Sequence, residues 1–179
     1  MASPYTAYGA AFWAVEYRVN GVWNTLLHRF WAVGDAIGTH IISPEAYPRP
    51  ELTRGLMADL LVSTLKAGPG PAGAATATLS EPVVVYEGKG SNGDTWDQLE
   101  DQLESWCSES ARLAPFRAWL IGTRGSMVRF YYWADALVSQ QWNAARGRPV
   151  NGTLTYDIAN ARQWAIVHAM LLHMSGNRP

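Results

Sequence analysis

The sequence predicts a single α/β (α+β) domain in which a central mixed sheet is flanked by helices. Three observations favour this class: apolar residues recur at helical spacing near both ends of the chain, a continuous apolar run of β-type residues lies in the middle, and a helix and a β-hairpin follow it. The chain has 179 residues, 48 % of them hydrophobic and 16 % charged, so it can bury a core.

In the N-terminal part, apolar residues at helical spacing predict one long helix at residues 12–32, which is followed by a short β-type run at residues 39–43. Gly34 and Gly38 mark the end of the helix. Residues 43–50 carry three prolines and are predicted to be a loop. The apolar residues with helical spacing are Val15, Val19, Val22, Trp23, Leu26, Leu27 and Phe30.

The residue pattern in the middle of the chain predicts a hairpin. Residues 56–65 suit either a buried strand or a short helix, because they are apolar without strict alternation. Residues 82–86 are β-branched or aromatic and predict a strand that is buried on both faces. The stretch 67–79 between them is rich in Gly, Pro and Ala and predicts a long flexible connection. Residues 88–93 are predicted to be a loop.

The residue pattern in the second half of the chain predicts a helix, a hairpin and a final helix. Asp94 or Thr95 can cap the first helix, which extends to about Cys107, and Asp157 or Asn160 can cap the last one. The remaining predicted segments are strands at 118–121 and 127–133 joined by a tight turn at 122–126, a polar loop at 140–152, and the last helix at 157–174.

Composition limits the function classes. The net charge is −1, whereas a dedicated nucleic-acid-binding protein is usually basic. Cys107 is the single cysteine, which excludes an internal disulfide and a cysteine-based zinc site. The first residues resemble no signal peptide and no apolar stretch reaches the length of a membrane span, so we expect an intracellular protein, in the cytoplasm or nucleus, without membrane contact.

Charge is distributed unevenly along the chain. Between residues 81 and 109, Lys89 is the only cation among many acids, whereas residues 110–150 contain many arginines and Asp135 as the only acid. An acidic metal-binding region beside an arginine-rich region would suit a phosphodiester substrate. Ordinary solvated surface charge explains the pattern equally well.

The residues with the strongest chemical implication are Asp59, Glu87 and Lys89. Asp59 is a lone acid within the apolar run ADLLV, where a carboxylate is costly unless it is paired or bound to a cation. Glu87 and Lys89 follow the apolar strand directly and, being two positions apart, point to the same side of an extended chain. Two carboxylates and water suit a hard cation, Mg²⁺ or Mn²⁺.

The order of these residues resembles a known superfamily. Asp59, a hairpin connection, the EGK motif of residues 87–89 and a helix carrying Gln102 are similar to the D…ExK…Q order of PD-(D/E)XK, or restriction-endonuclease-like, domains. More narrowly, the EGK motif, Trp96, Gln102-Leu103 and the hairpin of residues 121–131 resemble a group of fungal nuclease-like proteins with that core. The likeness covers about residues 51–133.

The resemblance implies a restriction-endonuclease-like fold and Mg²⁺- or Mn²⁺-dependent hydrolysis of DNA or RNA, by an endonuclease or an exonuclease. It implies that Asp59 and Glu87 hold the metal and that Gln102 positions the site from its helix. Lys89 would orient the attacking water or stabilise charge on the phosphate. In this superfamily the helix before the first core strand often holds an additional acid, a place that Glu16 could take.

Further expectations concern the substrate and the geometry. Arg124 and Arg129, on the hairpin after the helix, are predicted phosphate contacts, because a guanidinium can bind two phosphate oxygens at once. Asp59 and Glu87 are expected beside each other on neighbouring antiparallel strands.

The sequence also departs from the superfamily pattern. Gly88 stands where the family usually has an apolar or β-branched residue, no proline precedes Asp59, and the connection from Asp59 to Glu87 is long. These departures bear on activity more than on fold. The alternative function is therefore a catalytically inactive relative that acts as a protein-binding or assembly module, or as a homo-oligomer, through its many aromatic residues.

Each site residue has a plainer interpretation. Asp59 could pair with Arg54 on a helix, Glu87 and Lys89 could form a solvated surface ion pair, and Gln102 could be an exposed helix residue. The four histidines are dispersed and their spacing does not predict a zinc site.

Overall fold

The computed structural model describes residues 2–31, 40–46, 57–69, 75–112 and 116–177. In chain order, the described elements are α1 (Ala10–Trp13), α2 (Glu16–Phe30), β1 (His40–Ala46), β2 (Ala58–Pro69), β3 (Ala75–Lys89), α3 (Trp96–Ala111), β4 (Ala118–Arg124), β5 (Met127–Trp133), β6 (Leu137–Asn143), β7 (Arg148–Asn151), β8 (Tyr156–Asp157) and α4 (Ala161–Gly176).

One mixed sheet organises these elements. Its strands lie in the order β1-β2-β3-β4-β5-β6-β7, and β8 pairs with β5. Neighbouring strands are antiparallel except for β3 and β4, which are parallel and are connected by α3. The structure therefore confirms an α+β class with a mixed sheet flanked by helices.

The helices cover both faces of the sheet. On one face, α2 and α4 pack against a core that contains Trp23, Tyr86 and Trp164. On the other face, α3 packs Leu99, Leu103 and Trp106 against a second core. Residues 83–86 of β3 are buried and divide between the two cores, which is why this segment is apolar without alternation.

Side-chain caps determine where two helices begin. At α3 the Thr95 hydroxyl accepts from the Gln98 backbone N–H at 3.3 Å, and the Gln98 side chain accepts from the Thr95 N–H at 2.8 Å. This reciprocal capping box satisfies two donors that have no partner within the helix. At α4 the Asn160 carboxamide accepts from the N–H groups of Arg162 and Gln163. Of the alternatives at each start, Thr95 and Asn160 are therefore the caps.

The N-terminal helix is interrupted. The prediction of one helix over residues 12–32 is wrong near its start, because α1 ends at Trp13 and Val15 is extended (φ −109°, ψ 117°), whereas residues 16–30 form one continuous helix. The Trp13 carbonyl accepts from Ser91 N–H at 2.9 Å. The loop after β3 thus uses an acceptor that a continuous helix would need, and α2 starts anew at Glu16. Gly34 and Gly38 lie outside the described residues.

The central hairpin is longer than expected. Residues 56–65 were open to helix or strand, and from residue 58 onward they form β2. The predicted flexible connection at 67–79 is wrong where it is described: residues 67–69 pair with residues 75–77 in the β2–β3 ladder. Such pairing uses backbone groups, so a run rich in small residues is able to form it.

Two predicted loops also contain strands. Residues 43–46 continue β1, although Pro44 favoured a loop; Pro44 lies on an edge strand, where a missing N–H is tolerated. The predicted polar loop at 140–152 contains most of β6 and all of β7, whose turn includes Gly147 at φ 59°. These strands are only partly buried, so they lack an apolar pattern. The prediction for residues 47–50 falls outside the described part of the chain.

The other predicted elements agree approximately with the structure. The strands expected at 118–121 and 127–133 are β4 and β5, and the final helix is α4, two residues longer than expected at its C-terminal end. Lys89 belongs to β3, so the predicted loop at 88–93 begins only at Gly90. Within the described ranges, no helix is both long enough and apolar enough to cross a membrane.

Candidate functional site

Asp59 and Glu87 lie beside each other near the ends of two neighbouring strands. In the β2–β3 ladder Leu60 pairs with Tyr86, so the next register position places Asp59 opposite Glu87. The expectation that antiparallel strands bring these acids together is confirmed. Lys89 lies two positions further along β3, where its carbonyl accepts from Gly125 N–H at 2.8 Å. That bond joins the end of β3 to the β4–β5 turn.

A backbone hydrogen bond holds the Asp59 carboxylate in place, because it accepts from Gly88 N–H at 2.8 Å. The Asp59 backbone lowers the pKa of Glu87, and the Asn20 side chain on α2 lowers the pKa of Asp59, so both groups lie close to the carboxylates. Asp59 is therefore fixed by the strand that carries Glu87.

Lys89 lies between two acids. Its Nζ is 2.8 Å from Glu87 Oε1 and 3.9 Å from Glu16 Oε1. The side chains of Lys89 and Glu87 are only 14 % and 10 % exposed, whereas Glu16 is 48 % exposed. The Lys89–Glu87 contact is thus a largely buried ion pair and not the solvated surface pair of the plainer interpretation.

Burial makes ionisation of the acid pair costly. It raises the pKa of Glu87 to about 7, with a further increase from the nearby charge of Asp59, while the hydrogen bond and the charge of Lys89 oppose the shift. Burial also raises the pKa of Asp59, against the hydrogen bonds from Gly88 and Asn20 and the charge of Lys89. One lysine therefore does not fully compensate two buried carboxylates, and a divalent cation would.

A cleft of about 380 Å³ opens beside these residues. The hairpin contributes Asp59, Glu87 and Lys89 to its walls, and α3 contributes Gln102 and Trp106. The volume is in the range of small-molecule and substrate pockets. Four of the predicted site residues, Asp59, Glu87, Lys89 and Gln102, thus line one concave surface. Glu16 lies beside Lys89 but does not line the cleft.

Gln102 presents an unsatisfied acceptor. Its amide nitrogen donates to Asp94 Oδ2 at 3.1 Å, whereas its Oε1 is buried and has no hydrogen-bond partner. A buried acceptor without a partner calls for a donor or a cation. Gln102 is therefore not the exposed helix residue of the plainer interpretation.

The donor set fits a hard divalent cation. Asp59 and Glu87 supply carboxylate oxygens and Gln102 supplies a carbonyl-type oxygen, the ligand chemistry that Mg²⁺ and Mn²⁺ prefer, with water and substrate completing the shell. Within the described residues, no group of three His, Cys, Asp or Glu side chains is arranged to hold a metal ion. Glu16 faces Lys89 rather than completing such a group.

The two arginines predicted to contact phosphate are in different positions. Arg124 pairs with Lys89 in the sheet and donates to the carbonyls of Ser91 and Gly93 at 3.4 and 3.5 Å, beside the end of β3.

Arg129 is used inside the protein. It donates to Glu100 and Thr155 at 2.8 Å each, and its guanidinium lies 4.3 Å from the ring centre of Trp96. It does not line the cleft. We conclude that Arg129 anchors α3 to β5, a structural role that its sequence context did not indicate.

Sequence reasoning missed two residues of the site, Asn20 and Glu45. Asn20 reaches Asp59 from α2, and nothing in its helical context distinguished it. Glu45 lines the cleft and lies at the register position of Asp59 on β1, with a left-handed backbone at φ 46°. A non-glycine residue in that conformation is strained, but the segment had been assigned to a proline-rich loop.

The chain matches no known protein family, no curated protein and no solved structure. The assignment of function therefore depends on the geometry above.

Proposed function

We propose that this protein is a metal-dependent nuclease with a restriction-endonuclease-like core, which hydrolyses phosphodiester bonds of DNA or RNA. The observation that carries the proposal is the joint placement of Asp59, Glu87 and Lys89 at the ends of β2 and β3, beside a cleft. The buried, like-charged acid pair supports a cation, and the helix α3 supplies Gln102 in the order that the superfamily resemblance implies.

Each site residue has its own role in the proposed reaction. Asp59 and Glu87 would hold Mg²⁺ or Mn²⁺, which when bound lowers the pKa of a water molecule and polarises the phosphate. Lys89 is held at the edge of this pair and can donate to the attacking water or to a non-bridging phosphate oxygen. Gln102 Oε1 is free to accept from the same water. Arg124, beside the end of β3, is the remaining candidate for a phosphate contact.

Cleavage assays test the proposal. Purified protein is incubated with single- and double-stranded DNA and RNA in Mg²⁺ or Mn²⁺. We expect cleavage of at least one substrate, lost in EDTA and reduced by at least about a hundredfold in Lys89→Ala, the range for a group that assists proton transfer or stabilises charge. Arg112→Ala is the matched control, since Arg112 is an exposed cation on the end of α3. Cleavage by Lys89→Ala at the wild-type rate would refute the mechanism.

One observation favours the alternative of an inactive relative that serves as a binding or assembly module. Lys89 is already ion-paired with Glu87, and Arg129 is bound to Glu100, so two of the cations expected for catalysis have partners within the protein. Titration calorimetry with Mn²⁺ and light scattering separate the two functions. Absence of Mn²⁺ binding together with a dimeric or larger mass supports the module; a monomer that binds Mn²⁺ and nucleic acid excludes it.

A further inference from the structure

A polar network lies behind the acid pair, between α2 and the sheet. The Tyr86 hydroxyl donates to Asn20 Oδ1 at 3.0 Å and lies 2.9 Å from Thr123 Oγ1. Since the Tyr86 proton is directed to Asn20, Thr123 donates to the Tyr86 oxygen. Asn20 also lies beside Asp59, because Gly88 separates the two: its N–H donates to Asp59 Oδ2, and a Cβ on it would meet Asn20 Oδ1. Asn20 accordingly lowers the pKa of Asp59.

The network fixes the orientation of Asn20. With Oδ1 taken by the Tyr86 hydroxyl, the NH₂ group is the part of the amide that remains to act on Asp59. Tyr86 and Thr123 are fully buried, and the Tyr86 ring stacks on Trp23 with centroids 5.7 Å apart. The Asn20 amide is therefore anchored to a fully buried part of the core.

Gly88 makes room for this network. A Cβ at position 88 would lie 2.1 Å from the Tyr86 hydroxyl and 2.2 Å from Asn20 Oδ1, distances that no real Cβ tolerates. The backbone N–H of Gly88 is also the second donor to Asp59. The glycine that replaces the usual larger residue of the E-x-K motif thus admits a side chain from α2 into the space behind the acid.

We propose that Asn20 is the positioning residue of the site: anchored by Tyr86 and Thr123, it fixes the Asp59 carboxylate for cation binding, and Gly88 is required for it to do so. The contact itself is independent of the proposed function, whereas its consequence for cation affinity rests on that function.

A double-mutant cycle tests the contact without any metal. We expect Asn20→Ala and Asp59→Ala to be coupled by roughly tenfold in the unfolding equilibrium constant, the usual size for a hydrogen bond to a charged group. Asn24→Ala, one turn further along α2, provides the control cycle and should show no coupling to Asp59→Ala. Additive effects of Asn20→Ala and Asp59→Ala would overturn the proposal.

Mn²⁺ affinity tests the consequence. By electron paramagnetic resonance, we expect Asn20→Ala and Gly88→Ala each to weaken Mn²⁺ binding by at least about tenfold, the effect of losing a group that orients a metal ligand. Tyr86→Phe, which keeps the ring and removes the anchor of the amide, should cause a smaller loss in the same direction, whereas Asn24→Ala should cause none.

The two experiments separate the two claims. If the wild-type protein binds no Mn²⁺, the proposed function fails, and the cycle alone decides whether Asn20 positions Asp59. If wild-type protein binds Mn²⁺ and Asn20→Ala binds it equally well, the positioning role is wrong while the nuclease proposal stands.

Discussion

The substitution Glu87→Gln should change how stability depends on pH. The pKa of Glu87 is raised from its ordinary 4.5 to about 7, chiefly by burial. Between these values the folded state binds more protons than the unfolded state, so the free energy of unfolding falls as pH rises, and above about pH 7 the loss is complete. Glutamine keeps the shape of the protonated side chain and does not ionise.

The size of the effect follows from the shift. A rise from 4.5 to about 7 in pKa corresponds to a loss of about 3 kcal/mol, at about 1.4 kcal/mol per pKa unit. The stability of Glu87→Gln relative to the wild type should therefore increase by about 3 kcal/mol between pH 4 and pH 8. Titrating groups remote from the acid pair contribute equally to both proteins and cancel in this difference.

Urea unfolding at a series of pH values in EDTA measures this difference. Glu104→Gln, which replaces an exposed acid on α3 by its amide, is the matched control. A relative stability of Glu87→Gln that is constant from pH 4 to pH 8 would show that Glu87 ionises normally, and the argument for a cation site would lose its electrostatic basis. Adding Mg²⁺ should reduce the wild-type loss, because the cation stabilises the ionised pair.

Three further substitutions test the surrounding structure. Arg129→Ala should lower the free energy of unfolding in urea by about 1–3 kcal/mol, because Glu100 loses its charged partner, and should leave the cleavage rate unchanged. A loss of cleavage without destabilisation would instead support the predicted contact of Arg129 with phosphate. Glu45→Gly should raise stability by about 1 kcal/mol in a thermal scan, since glycine relieves the left-handed backbone, and unchanged stability would mean that the strain is absent. Gly122→Ala should lower stability by about 1–3 kcal/mol, because its Cβ would lie 2.4 Å from Leu99 Cδ2, whereas an unchanged value would show that α3 can shift.

The central strand and its acids were predictable because local signals determine them. Residues 83–86 are apolar on both faces, which marks a buried strand, and a hairpin places residues before and after it side by side. The adjacency of Asp59 and Glu87 follows from that geometry alone. By contrast, residues 140–151 contain most of β6 and the edge strand β7, which are only partly buried, so no apolar pattern distinguished them from a loop.

The rest of the site was hidden because it depends on how elements pack. Asn20 reaches Asp59 only when α2 lies across β3 at a particular angle. The spacing of apolar residues along α2 predicts a helix but does not predict how that helix is oriented on the sheet. The partners of Arg129 were hidden for the same reason, since Glu100 lies on the crossover helix α3 while Arg129 lies on β5. Contacts between side chains of a helix and of the sheet can be identified only once the packing of the core is known.

The connection through α3 gives the two walls of the cleft different origins. The β2–β3 hairpin carries Asp59 and Glu87, whereas Gln102 lies on the crossover helix that joins the parallel strands β3 and β4. The sheet therefore brings the acids together, and α3 encloses the cleft beside them. A substitution that displaced α3 would admit water to the cleft and lower the cost of both charges without changing either acid.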